Sequence, residues 1–326
     1  MRGNGLNRAI RQSILAFAAI LKAGQPVDRS SAFAPHIRPL LPFGVAGAFV
    51  RFDYPHLPMI DWTHWHNEPF LVGGLIFLGW LYALLAGPLR ERLAGPGAPY
   101  PRRHAVKFYG ALFVFYLAVG SPLDQMGERF LLSAHMLQHQ LMVYPAAILF
   151  LLGLPEWMVR PITTSPPLRG FLGLCTRPIM CGLIFVIVVS TWHAPLLYDW
   201  ALQNRQVHIL EHFMFFGAAL FYWWPLLSPS RELPPTSPAW QMLYLLGVEI
   251  GMTPLFAYLT FSPDILYPTY EYAPRITWLT PADDQLLAGS MMKLVGFAVA
   301  MTAFGIAFYR WYRATEHGER RATAGR

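Results

Sequence analysis

Beyond residue 60 the chain alternates between long apolar runs and short polar connections. A helix needs about 20 mostly apolar residues to cross a hydrocarbon core. Seven stretches approach or reach that length: Phe70–Leu89, Ala105–Pro122, Ala134–Gly153, Pro178–Leu197, Ile209–Leu227, Trp240–Phe261 and Leu286–Arg310. A soluble enzyme of this size would carry charged, amphipathic stretches between its core segments, and few occur here. The pattern predicts an all-α fold: a polytopic membrane protein whose seven-transmembrane-helix bundle occupies residues 61–312, with a basic tail over 313–326.

Composition agrees with that reading. Hydrophobic residues make up 55% of the chain, and charged residues only 13%, against roughly 25% in soluble domains. The distribution of charge then orients the bundle. The connections after segments one, three and five, the segment ends that adjoin them and the C-terminal tail carry fourteen cationic residues: Arg90, Arg92, Arg102, Arg103, Lys107, Arg160, Arg169, Arg177, Arg231, Arg310, Arg313, Arg320, Arg321 and Arg326. The opposite connections carry Arg129, Arg205 and Arg275. Positively charged loops stay in the cytoplasm, so the C-terminus is expected inside. The net charge of +7 points to anionic membrane lipid as a partner; no motif points to nucleic acid.

Residues 1–60 fit this scheme less simply. Arg2, Arg8 and Arg11 precede a short apolar run, Ile14–Leu21, which Lys22 ends without a prompt cleavage site, and a second run, Leu40–Val50, is too short to span. A cleaved leader, an interfacial segment and a misassigned start all account for this basic extension. The two cysteines, Cys175 and Cys181, make no CxxC pair. They lie toward the expected cytoplasmic side, where a disulfide is disfavoured, and read as small apolar residues.

Seven of the eleven histidines fall near one end of the predicted bundle, the outward-facing end: His64, His66, His135, His139, His193, His208 and His212. Residues four apart share a helix face. His135 and His139 therefore point one way on segment three, and His208 and His212 repeat the spacing on segment five. Structural hydrogen bonding accounts for one such pair. Two pairs at one depth point to convergence on a metal ion, with His193 as a further nitrogen. Asp124, Glu211 and Asp284 stand nearby as auxiliary carboxylates that could orient the imidazoles, although Asp near a helix N-terminus is commonly a cap, the reading that suits Asp283. Met136 and Met292, with Met126 and Met291, offer soft donors suited to Cu(I); ordinary packing also explains them. His64 and His66 sit in an aromatic stretch, Trp62–His66, that reads equally as an interfacial belt or a loading site. Two charges lie deeper, Glu249 and Lys293, and are expected to face the interior and pair there, as a structural ion pair or in a proton-linked role.

The motifs Ser121-Pro122-Leu123-Asp124, His135-Met136-Leu137-Gln138-His139, Gly153-Leu154-Pro155, Trp192-His193-x-Pro195, His208-x-x-Glu211-His212, Trp223-Trp224-Pro225 and Asp284-Gln285-x-x-x-Gly289-x-x-Met292 occur in this order. Together they resemble the CtaG family of multi-pass cytochrome c oxidase assembly proteins, associated with the caa-type oxidase, across about residues 60–312. Lys293 departs from the aromatic residue that the resemblance implies after Met292. The resemblance implies a non-enzymatic, multi-pass protein of the bacterial plasma (inner) membrane, needed to form active oxidase, with oxidase subunits as partners and copper as the metal it binds and delivers, in the manner of a chaperone. Two other classes stay open on the residues alone. One is a membrane-embedded zinc hydrolase, with Asp124 or Glu211 as general base; the other is a bis-His haem b electron carrier.

The charge pattern makes a direct forecast. In a background lacking Cys175 and Cys181, Arg103→Cys and Asp264→Cys should react with an impermeant thiol reagent from opposite faces of the membrane. Labelling of both from one face would overturn the predicted helix count.

Overall fold

The computed structural model describes residues 60–324 except His64 and His66, with side chains through Glu316. The basic extension over 1–59 and the two tryptophan-flanked histidines therefore lie outside the described residues. Every regular element among those described is helical. Helices α1 (Pro69–Ala86), α2 (Arg90–Ala94), α3 (Arg102–Gly120), α4 (Pro122–Arg129) and α5 (Leu132–Leu141) lead into a π-helical turn, Met142–Ala146, which runs on as α6 (Ala147–Gly153). Then follow α7 (Glu156–Thr163), α8 (Pro166–Cys175), α9 (Pro178–Trp192), α10 (Pro195–Gln203), α11 (Arg205–Leu227), α12 (Pro238–Phe261), α13 (Pro268–Glu271) and α14 (Pro281–Ala324).

Proline sets many of these starts. Helices α1, α4, α8, α9, α10, α12 and α13 carry Pro in their first turn, where the missing N–H would have had no intrahelical partner and φ is already fixed near the helical value. Inside a helix the same residue is disruptive. Pro145 falls in the π turn, where the ladder widens and tolerates its ring and missing donor. The indole N–H of Trp223 on α11 donates to the Val143 carbonyl in this turn at 2.8 Å, so the irregular backbone is tied to a neighbouring helix.

Four helical stretches are long and apolar enough to cross a membrane: α1, Leu132–Gly153, α12 and Pro281–Glu316. Two bent pairs raise the number to six if each is one span, α3 with α4 at 43° and α8 with α9 at 75°. All seven segments expected from the sequence coincide with helices, and α11 is the one outside this set. It is 23 residues long, but its first turns carry His208, Glu211 and His212. One boundary shifts with consequence. The fourth segment was expected to run to Leu197, but α9 ends at Trp192 and α10 begins at Pro195, because the residue before a proline is disfavoured in the α region. His193 sits in that break.

The principal core forms where α5, the π turn, α6, α9, α11, α12 and α14 meet, around Met136, Val143, Phe185, Phe215, Tyr222, Trp223 and Leu245. Large apolar residues also point outward along the spans, among them Phe70, Ile76 and Trp80 on α1 and Leu243 and Ile250 on α12. Scattered apolar exposure is ordinary, but rows of it along the longest helices fit a lipid surround.

Helix approach is closest at glycine. A Cβ at Gly153 would lie 2.6 Å from the Phe108 backbone nitrogen on α3, and the Tyr82 hydroxyl from α1 donates to the Gly153 carbonyl at 3.1 Å. Gly153→Ala should therefore destabilise the bundle by about 1–3 kcal/mol through overpacking. Gly73→Ala, whose Cβ would meet nothing within 4 Å, should be neutral or slightly stabilising, since Gly inside a helix is about 0.5–1 kcal/mol worse than Ala. Denaturant unfolding in detergent checks both; equal effects at the two sites would contradict the packing.

Candidate metal centre

Three elements bring the imidazoles together. Helix α5 presents His135 and His139 one turn apart, α11 presents His208 and His212 one turn apart, and the break after α9 supplies His193. All five are buried, and Glu211 on α11 is fully buried among them. The rings of His208 and His212 lie 4.2 Å apart between centroids, those of His135 and His208 5.3 Å, and those of His139 and His212 5.6 Å. The two pairs face each other across the α5–α11 contact. Two triads have ligand atoms within 4.8 Å of one another: His135, His139 and His212, and His135, His208 and Glu211. The His193 ring stands 5.9 Å from that of His139.

Local sequence explains the position of α5. It lacks a side-chain cap of its own, and Asp284 from the start of α14 supplies one. Its carboxylate accepts from the Leu132 backbone N–H at 2.7 Å, the Ser133 backbone N–H at 3.2 Å and the Ser133 hydroxyl at 2.5 Å. A negative charge there also favours the positive end of the helix. Asp284 thus acts on the helix that carries two of the histidines. Its neighbour Asp283 pairs with Thr280 in a reciprocal cap of α14, at 2.6 Å between the side chains. Asp124 on α4 accepts from the Gln138 amide at 2.7 Å, and the same amide donates to the Ala118 carbonyl at 3.0 Å. Helix α4 can press this closely because residue 127 is glycine: a Cβ there would collide with the Gln138 side-chain oxygen and lie 2.9 Å from the His135 Cα.

Hydrogen placement follows from donor and acceptor chemistry. The Tyr270 hydroxyl on α13 lies 2.6 Å from the Gly127 carbonyl, to which it must donate. It therefore accepts from His135 Nδ1–H at 3.1 Å, which leaves the lone pair of His135 on Nε2. Tyr198 in turn donates to Tyr270 at 3.2 Å. His193 Nδ1–H donates to the Val189 carbonyl at 2.7 Å, so its Nε2 lone pair faces Met136 Sδ at 3.4 Å. His208 Nδ1 lies 2.7 Å from the Glu128 carboxylate, and its Nε2 has no hydrogen-bond partner. One ring nitrogen of each of these three histidines is held by a hydrogen bond, the arrangement that orients metal-binding imidazoles; of the other three nitrogens, His208 Nε2 has no partner, while those of His135 and His193 lie against His139 Nε2 and Met136 Sδ.

The remaining atoms show what the cluster lacks. His135 Nε2 and His139 Nε2 stand 3.0 Å apart. Nitrogens bonded at about 2.0–2.1 Å to one tetrahedral ion sit about 3.3 Å from each other. Among the described residues, eleven buried side-chain N and O atoms have no hydrogen-bond partner, and five of these lie here: His139 Nδ1, His208 Nε2, His212 Nε2 and both Glu211 oxygens. The closest ion-pair approach to Glu211 is His139 Nε2 at 3.8 Å. An unpartnered carboxylate in an apolar interior is costly; a cation among these atoms would supply what is missing. The donor set, nitrogens with a carboxylate and a thioether close by, suits a first-row transition ion.

Other candidates lie further out. Met292 lines a cavity of about 50 Å³ that His139, His193, Glu249 and Lys293 also border. Lys293 Nζ donates to the Glu249 carboxylate at 2.7 Å, so the two deep charges pair. Met126 packs against Phe130 and Leu131, and Met291 against the principal core. Cys175 and Cys181 are free thiols, and Cys181 donates to the Cys175 carbonyl at 3.2 Å. Sequence spacing offered no signal for Tyr270, Tyr198 or Glu128, because each reaches the histidines through space from a distant element.

Tyr270→Phe removes the hydroxyl on which His135, Tyr198 and Gly127 meet, leaving a buried carbonyl and a buried ring N–H unpaired. A loss of about 1–3 kcal/mol is expected, read as a lowered unfolding midpoint in detergent. An unchanged midpoint would contradict this network.

Comparison with known proteins adds an identity. A family model described as cytochrome c oxidase caa3 assembly factor matches residues 80–314, a span that contains every residue of the histidine cluster and its caps. No curated protein and no solved structure matches the chain. With more than half of its length matched, the chain belongs to the cytochrome c oxidase caa3 assembly factor family.

Proposed function

We propose that this protein is a seven-span factor of the bacterial plasma membrane that holds a copper ion in the α5–α11 histidine cluster and delivers it to a subunit of the oxidase it helps to assemble. The observation that carries this reading is the buried set His135, His139, His208, His212 and Glu211, with five polar atoms lacking partners. Such a set is expensive to maintain for packing alone. The family's role in oxidase assembly supplies the recipient, and assembly rather than turnover favours a non-enzymatic protein.

Helix α11 serves as the seventh span in this arrangement. Its polar first turns are spent on the metal centre, while Ile209, Leu210 and Phe213 in the same turns are exposed. With the cation-rich connections in the cytoplasm, the cluster lies toward the outer face, the side from which imported copper arrives. His135, His139, His208 and His212 are the ligands assigned, His193 and Met136 are adjoining soft donors, and Asp284 and Tyr270 hold α5 and His135 in place.

His135→Ala and His212→Ala should leave the protein folded and present in the membrane, because each removes one ring without opening the apolar core. Oxidase activity and oxidase copper content should both fall at least several-fold, and added copper should restore part of them, since a weakened site refills by mass action. Normal oxidase copper in either variant, or in a strain lacking this protein and any second assembly factor, would reject the proposal. Loss of lipid or peptide turnover with intact oxidase would instead point to a zinc hydrolase.

A further inference from the structure

The two triads share His135 and differ in everything else, and they lie between two separate spaces. On one side is a cavity of about 540 Å³ whose wall includes Glu128, His208 and His212, together with Phe70 and Phe213, which are largely exposed. On the other is a smaller cavity of about 50 Å³ bordered by His139 and His193. His208 therefore borders the larger cavity and His139 the smaller one, while His212, which belongs to the other triad, also borders the larger cavity. The two triads differ in donor chemistry. The first, His135 with His208 and Glu211, includes a carboxylate. The second, His135 with His139 and His212, is all nitrogen, and the Met136 thioether and His193 lie near it, 3.4 Å from each other.

His135 cannot serve two ions at once. Its Nδ1–H is committed to Tyr270, because the Tyr270 hydroxyl hydrogen is itself spent on the Gly127 carbonyl. A single lone pair remains, on Nε2. The triads are thus alternatives for one ion.

We propose that the cluster is a two-station site in which one metal ion exchanges ligands while His135 stays bound. An ion entering from the larger cavity is held first by His208, Glu211 and His135. It then moves toward His139 as its bonds to His208 and Glu211 break and bonds to His139 and His212 form. The ion keeps its charge throughout, no electron is transferred, and no proton needs to move on His135. The first station suits borderline divalent ions such as Zn²⁺, which accept carboxylate; the second suits Cu(I), which favours nitrogen and thioether. The smaller cavity beyond His139 and His193 is also lined by the Lys293–Glu249 ion pair, with 2.7 Å between the charged groups.

This inference rests on reading the cluster as a metal centre, and its test separates the two. The full-length protein in detergent is titrated with Zn²⁺ and, anaerobically, with Cu(I) supplied as its acetonitrile complex against a chromogenic competitor. Each metal should bind at one ion per chain, and saturating Cu(I) should exclude Zn²⁺. Glu211→Gln and His208→Ala should weaken Zn²⁺ by at least about tenfold, and Cu(I) far less, as expected for loss of a ligand to one station only. His139→Ala should show the reverse preference, and His135→Ala should weaken both metals. Circular dichroism and unfolding midpoints confirm that each variant is folded. Two ions bound together, equal dependence of both metals on the same residues, or undiminished binding of either metal to His135→Ala would overturn the two-station arrangement while leaving a metal centre in place. Failure of the wild-type protein to bind either metal would remove the centre itself.

Discussion

The cost of placing a carboxylate and five imidazoles in an apolar bundle governs the rest of this structure. Polar groups removed from water must be hydrogen-bonded, paired or coordinated. Much of the fold near the cluster can be read as meeting that demand. Tyr270, itself bonded to Tyr198, reaches in to hold His135, Glu128 holds His208, and the Val189 carbonyl holds His193. What stays unsatisfied is concentrated on the atoms best able to bind a cation. The demand is thus met from outside the cluster and left open at its centre.

Meeting it requires helices that are not straight. The break between α9 and α10 releases His193 from the end of a helix and turns its ring toward Met136. The Ser121–Pro122 turn bends α3 into α4 by 43° and brings Gly127 against α5, where a larger residue would not fit. The π turn at Pro145 keeps α5 and α6 continuous while its Val143 carbonyl accepts the Trp223 indole N–H. Each irregularity is a proline or glycine position with an identifiable backbone reason, and the first two lie next to His193 and His135.

Helix positions and the two i, i+4 histidine pairs were legible in the sequence, because hydropathy and helical periodicity are local properties. The pairing of Glu249 with Lys293 was legible as well, since neither charge tolerates lipid. The hydrogen-bonding shell was not. Tyr270 lies 135 residues from His135, and nothing in the spacing of a short loop helix announces that its hydroxyl fixes a tautomer. Asp284 was visible as a carboxylate near a helix start, but it caps a helix other than its own, a relation that only the fold creates. Glu211 was read as an auxiliary to its histidine neighbours; its complete burial without a hydrogen bond places it among the candidate ligands. Helix α11, whose first turns direct His208, Glu211 and His212 toward protein, falls outside the helices long and apolar enough to cross a membrane.

Helix α14 runs for 44 residues without an internal proline, about 66 Å at 1.5 Å per residue. The hydrocarbon core is about 30 Å thick, and the whole bilayer with its headgroups about 40–45 Å, so the helix is long enough to project well beyond the membrane as one rod. One end of that rod is Asp284, which closes the first turn of the helix bearing His135 and His139. A protein that drew on the projecting end would therefore act on the same helix whose first turn caps α5, and so on the segment that carries His135 and His139.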